Sequence, residues 1–344
     1  MRMMRVYSFF FPLLLLALVA CNSQEHEKKT TAKPKKPSPA TKVDKAAKTV
    51  VPAFNADSAY MFIEEQVAFG PRVPNSEGHK ACGDYLVAKL REFGADTVIE
   101  QKTDLVAYNG DVLHARNIIA AFQPGKKERI LLCAHWDTRP WADSDPNPAN
   151  HYKPYPGAND GGSGVGVLLE VARQLASVPT NCGVDIIFFD AEDYGCHEAE
   201  RAMAENGGWA LGSGYWARNP HEKYYTARYG ILLDIVGAPG SRFCVEGYSV
   251  YYAKRIVDKV WTMARKSGYS GYFPYERVGT VTDDHVDVNM VLGIPCIDII
   301  NYDPASPNGF GPYHHTMKDD MDWIDKRTLK VVGQTVLNVI YNEK

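Results

Sequence analysis

Apolar residues in this chain gather into short continuous runs separated by polar, turn-forming stretches. Five runs stand out: NIIAAF (117–122), ILLCAH (130–135), VDIIFFD (184–190), GILLDIV (230–236) and CIDII (296–300). Runs without alternation are the mark of strands buried on both faces. They predict strands at Arg116–Phe122, Arg129–His135, Val184–Asp190, Gly230–Val236 and Cys296–Asn301, with a further one at Asp96–Gln101. Between them the period changes to that of helices. Tyr60, Met61, Ile63 and Val67 follow Asp57 or Ser58, either of which can cap a helix. Leu86, Leu90 and Phe93 share a face over Ala81–Phe93. Gly164–Ala176, Val250–Lys266 and Lys326–Tyr341 complete the set, and Phe69–His79 reads as a turn-rich connection. Strands alternating with helices in one block, with no repeat and no second linker, predict a single α/β domain with helices on both faces of one sheet.

The N-terminal region follows a different pattern. Arg2 and Arg5 precede the apolar run Phe9–Ala20, which at 12 residues is shorter than the roughly 20 that a membrane-spanning helix needs. It suits the apolar part of an export signal, residues 1–20. Its end, Leu18-Val19-Ala20-Cys21, resembles the bacterial lipobox, in which the cysteine becomes the lipidated first residue. Residues 21–52 are rich in Lys, Pro, Thr and Ala and nearly free of large apolar side chains, so they read as a flexible spacer. The expectation is an exported, lipid-anchored protein facing the periplasm, with the outer membrane favoured because Asn22, not Asp, follows Cys21. The domain proper is residues 53–344.

Charge supports that division. The whole chain carries −3, but residues 1–52 hold ten basic and three acidic residues, leaving −10 for residues 53–344. Neither the mild total nor an acidic domain points to nucleic acid. Seven cysteines include Cys21, and the others (Cys82, Cys133, Cys182, Cys196, Cys244, Cys296) form no CxxC pair, so no zinc ribbon or thioredoxin-like motif is present.

Chemistry collects where the apolar runs stop. ILLCAH ends at His135, followed by Asp137; VDIIFFD leads into Glu192-Asp193; GILLD ends at Asp234; CIDII contains Asp298. The glycine-rich GANDGGSG holds Asp160, and YHHTMKDD holds His314-His315. In open α/β sheets ligands bind beyond the carboxyl ends of the strands, so these residues are expected to meet at one site. Carboxylates and imidazoles in such a set are the donors of a zinc centre, and adjacent Glu192-Asp193 allow one carboxylate to ligate while the other stays free as a base.

GPRVPNSEGH, AHWDT, GANDGGSGVGVLLEVAR, FFDAEDYG, LLDIVGAPG, TDDHVDVNMVLGIPCIDII and YHHTMKDDMDWID, in that order across residues 54–342, resemble the zinc aminopeptidase superfamily. Within it they look most like the glutaminyl-peptide cyclotransferases (glutaminyl cyclases). The resemblance implies a mixed central β-sheet covered by helices on both faces. It implies one zinc on Asp160, Asp193 and His315 if the chain is a cyclase. A dizinc aminopeptidase, the alternative, would add His135 and Asp234 as ligands. The pattern around Asp234 in LLDIVGAPG, and Asp283 ahead of Asp284-His285, are cyclase-like. Three positions depart from the animal cyclases: Asp193 stands in place of Glu, Asp298 in place of His, and His314 in place of Trp. Glu198 stands where those enzymes carry an aromatic, so Trp136 or Trp209 is the candidate pocket wall.

The reaction implied is closure of an N-terminal glutamine of a peptide or protein into pyroglutamate, with loss of ammonia. Glu192 would carry the proton, Asp234 and Asp283 would orient the amine and the leaving group, and Asp298 would belong to the same network. The loop Arg139–Gly157, with Trp141 and Tyr155, and the segment 207–219 are expected at the pocket rim.

Overall fold

The computed structural model describes residues 50–203, 208–304, 306 and 308–344. The export signal, Cys21 and the spacer up to residue 49 lie outside the described residues. The elements are α1 (Ala56–Ala68), α2 (Glu77–Glu92), β1 (Thr97–Val106), β2 (Val112–Phe122), β3 (Arg129–His135), α3 (Gly162–Ser177), β4 (Gly183–Phe189), α4 (Leu211–Arg218), β5 (Tyr229–Asp234), α5 (Gly247–Lys266), α6 (Asp284–Leu292), β6 (Cys296–Ile300) and α7 (Lys326–Tyr341).

The six strands form one mixed sheet in the order β1-β2-β4-β3-β5-β6. Strands β3, β4, β5 and β6 are parallel, and β2 runs antiparallel to both β1 and β4. The apolar runs divide by strand parity. Ile130, Leu132, Ala134, Ile186, Phe188, Ile231 and Leu233 face the core shared with α1, α2, α3, α5 and α7. Leu131, Cys133, Ile187, Phe189, Leu232 and Cys296 face Trp216 of α4 and Val288 of α6. Both faces are covered, as the unbroken runs require. Helix α3 lies so close to the sheet that a Cβ on Gly164 would sit 2.2 Å from the carbonyl oxygen of Leu233. Glycine is what lets this helix start directly above the ends of β3 and β5. The six described cysteines are buried free thiols.

Four expectations are corrected. The cap of α1 is Asn55, whose side chain accepts from Asp57 and Ser58 themselves. The buried face is Ala59, Phe62, Ile63 and Gln66, which leaves Met61 exposed. Helix α2 begins at Glu77, capped by Ser76 through the His79 amide, so the turn-rich connection ends at Ser76, three residues sooner. Strands β1 and β2 extend to Val106 and back to Val112 as a hairpin whose outer half alternates exposed positions with buried Leu113 and Ala115, which is why no unbroken apolar run marked it. Helices α4 and α6 were not foreseen: α4 holds two glycines in eight residues, and α6 is nine residues long.

Candidate functional site

The carboxyl ends of β3, β4 and β5 and the amino end of α3 converge. His135 closes β3, and its Nε2 lies 3.1 Å from Asp234 Oδ1 at the end of β5 and 3.2 Å from Asp160 Oδ1 ahead of α3. Asp160 is held from behind: the carboxylate of Asp319 accepts the amides of Asn159 and Asp160 at 2.8 and 3.0 Å. Gly161 (φ +79°) then turns the chain, where a Cβ would meet the Asp137 carbonyl at 2.6 Å.

Beyond β4 the chain bends at Ala191 (φ +53°) and presents Glu192 and Asp193. The two oxygens of Asp137 accept the amides of Glu192 and Asp193 at 3.0 and 3.1 Å. Asp190 is anchored by His79 Nε2, 2.9 Å from both its oxygens, and by the Arg116 amide at 2.6 Å. His315, at φ +55°, points Nε2 to within 3.4 Å of Asp193 Oδ1 and 3.6 Å of Asp160 Oδ2. The buried hydroxyl of Tyr155 bridges Asp160 and Asp193 at 3.3 and 3.2 Å.

Asp160, Asp193 and His315 thus meet, and they suit a cation. Asp193 Oδ1 is buried with no hydrogen-bond partner among the described residues. Burial drives the Asp193 carboxyl well above its ordinary range, and neighbouring Asp160 adds to this. Burial and the Arg139 charge bring His315 down to about 4, so its imidazole is neutral at physiological pH. Two crowded carboxylates and a neutral imidazole are a zinc-type donor set. His135, Asp160 and Asp234 are donors within ligating reach of one another, as are Asp160, His314 and His315.

The remaining acids line or adjoin the same cavity, about 910 Å³ in volume, which includes Glu192, Asp234 and Asp283. Burial, with Asp283, Asp193 and Asp284 nearby, holds the Glu192 carboxyl well above its ordinary range despite the opposing His135. Burial pushes Asp234 to about 7 against its His135 contact. Asp283 caps α6 through the Asp284 amide at 2.6 Å, and its other oxygen is buried and unpartnered among the described residues. Asp298, fully buried in mid-strand, has both carboxylate oxygens unpartnered among the described residues and lies within ligating reach of Asp283 and His285. Asp298 does not open onto the cavity. Behind this group Glu246 caps α5 and meets His285 Nε2 at 3.2 Å.

Trp209 lines the cavity, as do Tyr302 and Phe310. The Trp209 ring is parallel to His315 (centroids 5.8 Å apart, 8° between planes), and His314 also stacks on His315, at 3.7 Å. Trp136 is not in the pocket: it is fully buried and stacked on His79 at 4.4 Å. Its amide still bonds to Phe189, continuing the β3–β4 ladder, so period two turns its side chain to the face opposite His135. Trp141 packs under its loop against Tyr194 and His197, and Glu198 lines the cavity. Sequence reasoning missed Arg139, Asp143, Glu246 and Asp319. Arg139 sits within HWDTRP and Asp319 within YHHTMKDD, but apart from the nearby Asp143 carboxylate that Arg139 grips, their partners are backbone atoms of distant loops, which residue types do not reveal.

The fold and the donor set place the chain among metal-dependent enzymes of the aminopeptidase type, and comparison with known proteins makes this specific. The chain belongs to peptidase family M28, which residues 117–340 match. Three solved structures align over nearly the whole domain. A Tannerella forsythia glutaminyl cyclase is 57% identical, with 85% of this chain and 100% of that one covered and a TM-score of 0.83. A Bacteroides thetaiotaomicron glutaminyl cyclase bound to N-acetylhistamine is 55% identical, covering 86% and 100%, with a TM-score of 0.84. A Zn-dependent exopeptidase from Parabacteroides distasonis is 54% identical, also covering 86% and 100% at 0.84. Aminopeptidase YwaD of Bacillus subtilis is 27% identical over 79% of this chain, which spans only 54% of that relative's length.

Proposed function

We propose that this protein converts the N-terminal glutamine of peptides or proteins to pyroglutamate with release of ammonia. The observation that carries this reading is the placement of Glu192, Asp234 and Asp283 along one cavity beside Asp160, Asp193 and His315. Likeness to the two glutaminyl cyclases at 55 and 57% identity supports it. One zinc ion on Asp160, Asp193 and His315 would, when bound, supply a Lewis acid for the glutamine γ-carbonyl.

The protein's own groups do the rest. The substrate's α-nitrogen attacks its own side-chain carbonyl carbon, one C–N bond forms, and the bond to the departing amide nitrogen breaks. Because nucleophile and electrophile belong to one residue, the pocket mainly holds a reactive conformer. Glu192 takes the proton from the α-nitrogen and passes it to the leaving nitrogen, which departs as ammonia. Burial raises the Glu192 carboxyl above the ordinary range, which favours its holding a proton during the transfer. Asp234 and Asp283 accept hydrogen bonds from the amine and the departing NH₂, and Trp209 forms part of the wall. The upstream signal and Cys21 support an exported protein, lipid-anchored to the envelope and facing the periplasm.

The group His135, Asp160 and Asp234 favours a second reading, a dizinc aminopeptidase. Purified protein offered Gln-peptides and Leu- or Ala-anilides separates the two. Ammonia from the first with no arylamine from the second is expected; arylamine release without ammonia overturns the cyclase reading.

A further inference from the structure

Arg139 takes no part in the proposed chemistry, yet it is almost fully buried beside the cavity and all five of its N–H donors are in use. Nε and Nη2 grip the two oxygens of Asp143 at 3.1 and 2.6 Å. Nη1 donates to the carbonyls of Asp193 and Gly195 at 3.3 and 3.1 Å, and Nη2 donates to that of Cys196 at 2.9 Å. The Arg139 amide adds a bond to Asp193 Oδ2 at 3.0 Å. One residue therefore holds both the backbone and the carboxylate of Asp193.

Asp143 carries the same strut to the other loop. Its Oδ1 lies 3.7 Å from His315 Nδ1, the nitrogen opposite the one facing Asp160 and Asp193. The Ser144 amide, next along, donates to the His315 carbonyl at 3.1 Å. The guanidinium also covers one face of Trp209 at 4.6 Å, while the His315 ring lies parallel to the indole at 5.8 Å. The ligand loop after β4, the ligand loop before α7 and the pocket wall thus share a single support.

We propose that the Arg139–Asp143 pair is a positioning device that sets both metal affinity and the seat of the substrate, by fixing Asp193, the His315 ring and Trp209 relative to one another. This rests on the cyclase reading for the substrate but not for the metal. Outer partners that orient ligating side chains typically change metal affinity by about 10–100-fold. Only a planar fork reaches all five acceptors, so lysine, with the same charge, does not replace arginine here.

The test measures zinc affinity by chelator competition, together with kcat and KM on a Gln-peptide, for the mature chain, Arg139→Lys and Asp143→Asn, well below each melting temperature. Arg139→Lys is expected to weaken zinc binding by about 10–100-fold and, once saturated with zinc, to raise KM more than it lowers kcat. Asp143→Asn is expected to weaken zinc binding in the same range; being the milder change, it carries the test if Arg139→Lys does not fold. Variants that bind zinc as the parent does and show only a lower melting temperature overturn the inference. A parent chain that binds zinc but does not cyclise Gln-peptides overturns the cyclase reading and leaves the affinity comparison standing.

Discussion

His135 Nε2 stands 3.1 Å from Asp234 Oδ1, a direct hydrogen bond between the ends of two neighbouring parallel strands. The contact orients the Asp234 carboxylate at the cavity edge, with Asp160 Oδ1 sharing the same ring nitrogen at 3.2 Å. In a single-metal site His135 and Asp234 are hydrogen-bond partners and not ligands. Asp234→Asn should therefore keep its zinc and its melting temperature while kcat/KM falls by about 10²–10⁴-fold, the range for loss of a proton-handling or orienting carboxylate. Metal analysis alongside kinetics checks this, and loss of zinc would make Asp234 a ligand.

Glu192 makes no side-chain hydrogen bond with the described residues, whereas its amide is held by Asp137 and its carbonyl by the Ala210 amide. Its position is set by backbone, so replacing the carboxylate disturbs little else. Glu192→Gln should fold, bind zinc normally and lose about 10²–10⁴-fold in turnover. Substantial retained turnover would remove Glu192 from the proton path.

Away from the metal, Glu246 offers a test by stability. It caps α5 through the Tyr248 and Ser249 amides and faces His285. Although burial acts against it, His285 and Ser249 hold its carboxyl below the ordinary 4.5. A lowered folded pKa means that its contribution is complete above pH 4.5 and disappears as pH falls through the folded value. Glu246→Gln should cost about 1–3 kcal/mol at neutral pH through the lost cap and the lost partner for a buried imidazole. The difference in denaturant midpoint should shrink below pH 4.5 as the parent loses the same stabilisation. A difference independent of pH would contradict the assignment.

Much of this architecture was legible in the chain. Strand Arg129–His135 and helix Lys326–Tyr341 match their predicted bounds, because an unbroken apolar run and a clean helical period each reflect burial directly. Asp160, Asp193 and His315 meet as the strand-end rule predicts. The supports were not legible. Asp137 and Asp319 act on backbone amides of loops distant in sequence, and a carboxylate holding an amide reads the same as any loop acid. The choice between Trp136 and Trp209 turned on the path of the chain. Trp136 adjoins a site histidine but points away from it, while Trp209 reaches the site only after the loop beyond β4 folds back. Asp283 both caps α6 and lines the cavity, with one oxygen unpartnered among the described residues.

The central claim is that Asp160, Asp193 and His315 form a one-metal cyclase centre while His135 and Asp234 serve as hydrogen-bond partners. The most direct test is the zinc content per chain of protein that cyclises Gln-peptides at its full rate, titrated from the metal-free form while ammonia release is followed. The account predicts that activity saturates at one zinc per chain. Saturation only at two, with His135→Gln removing one of them, would contradict it.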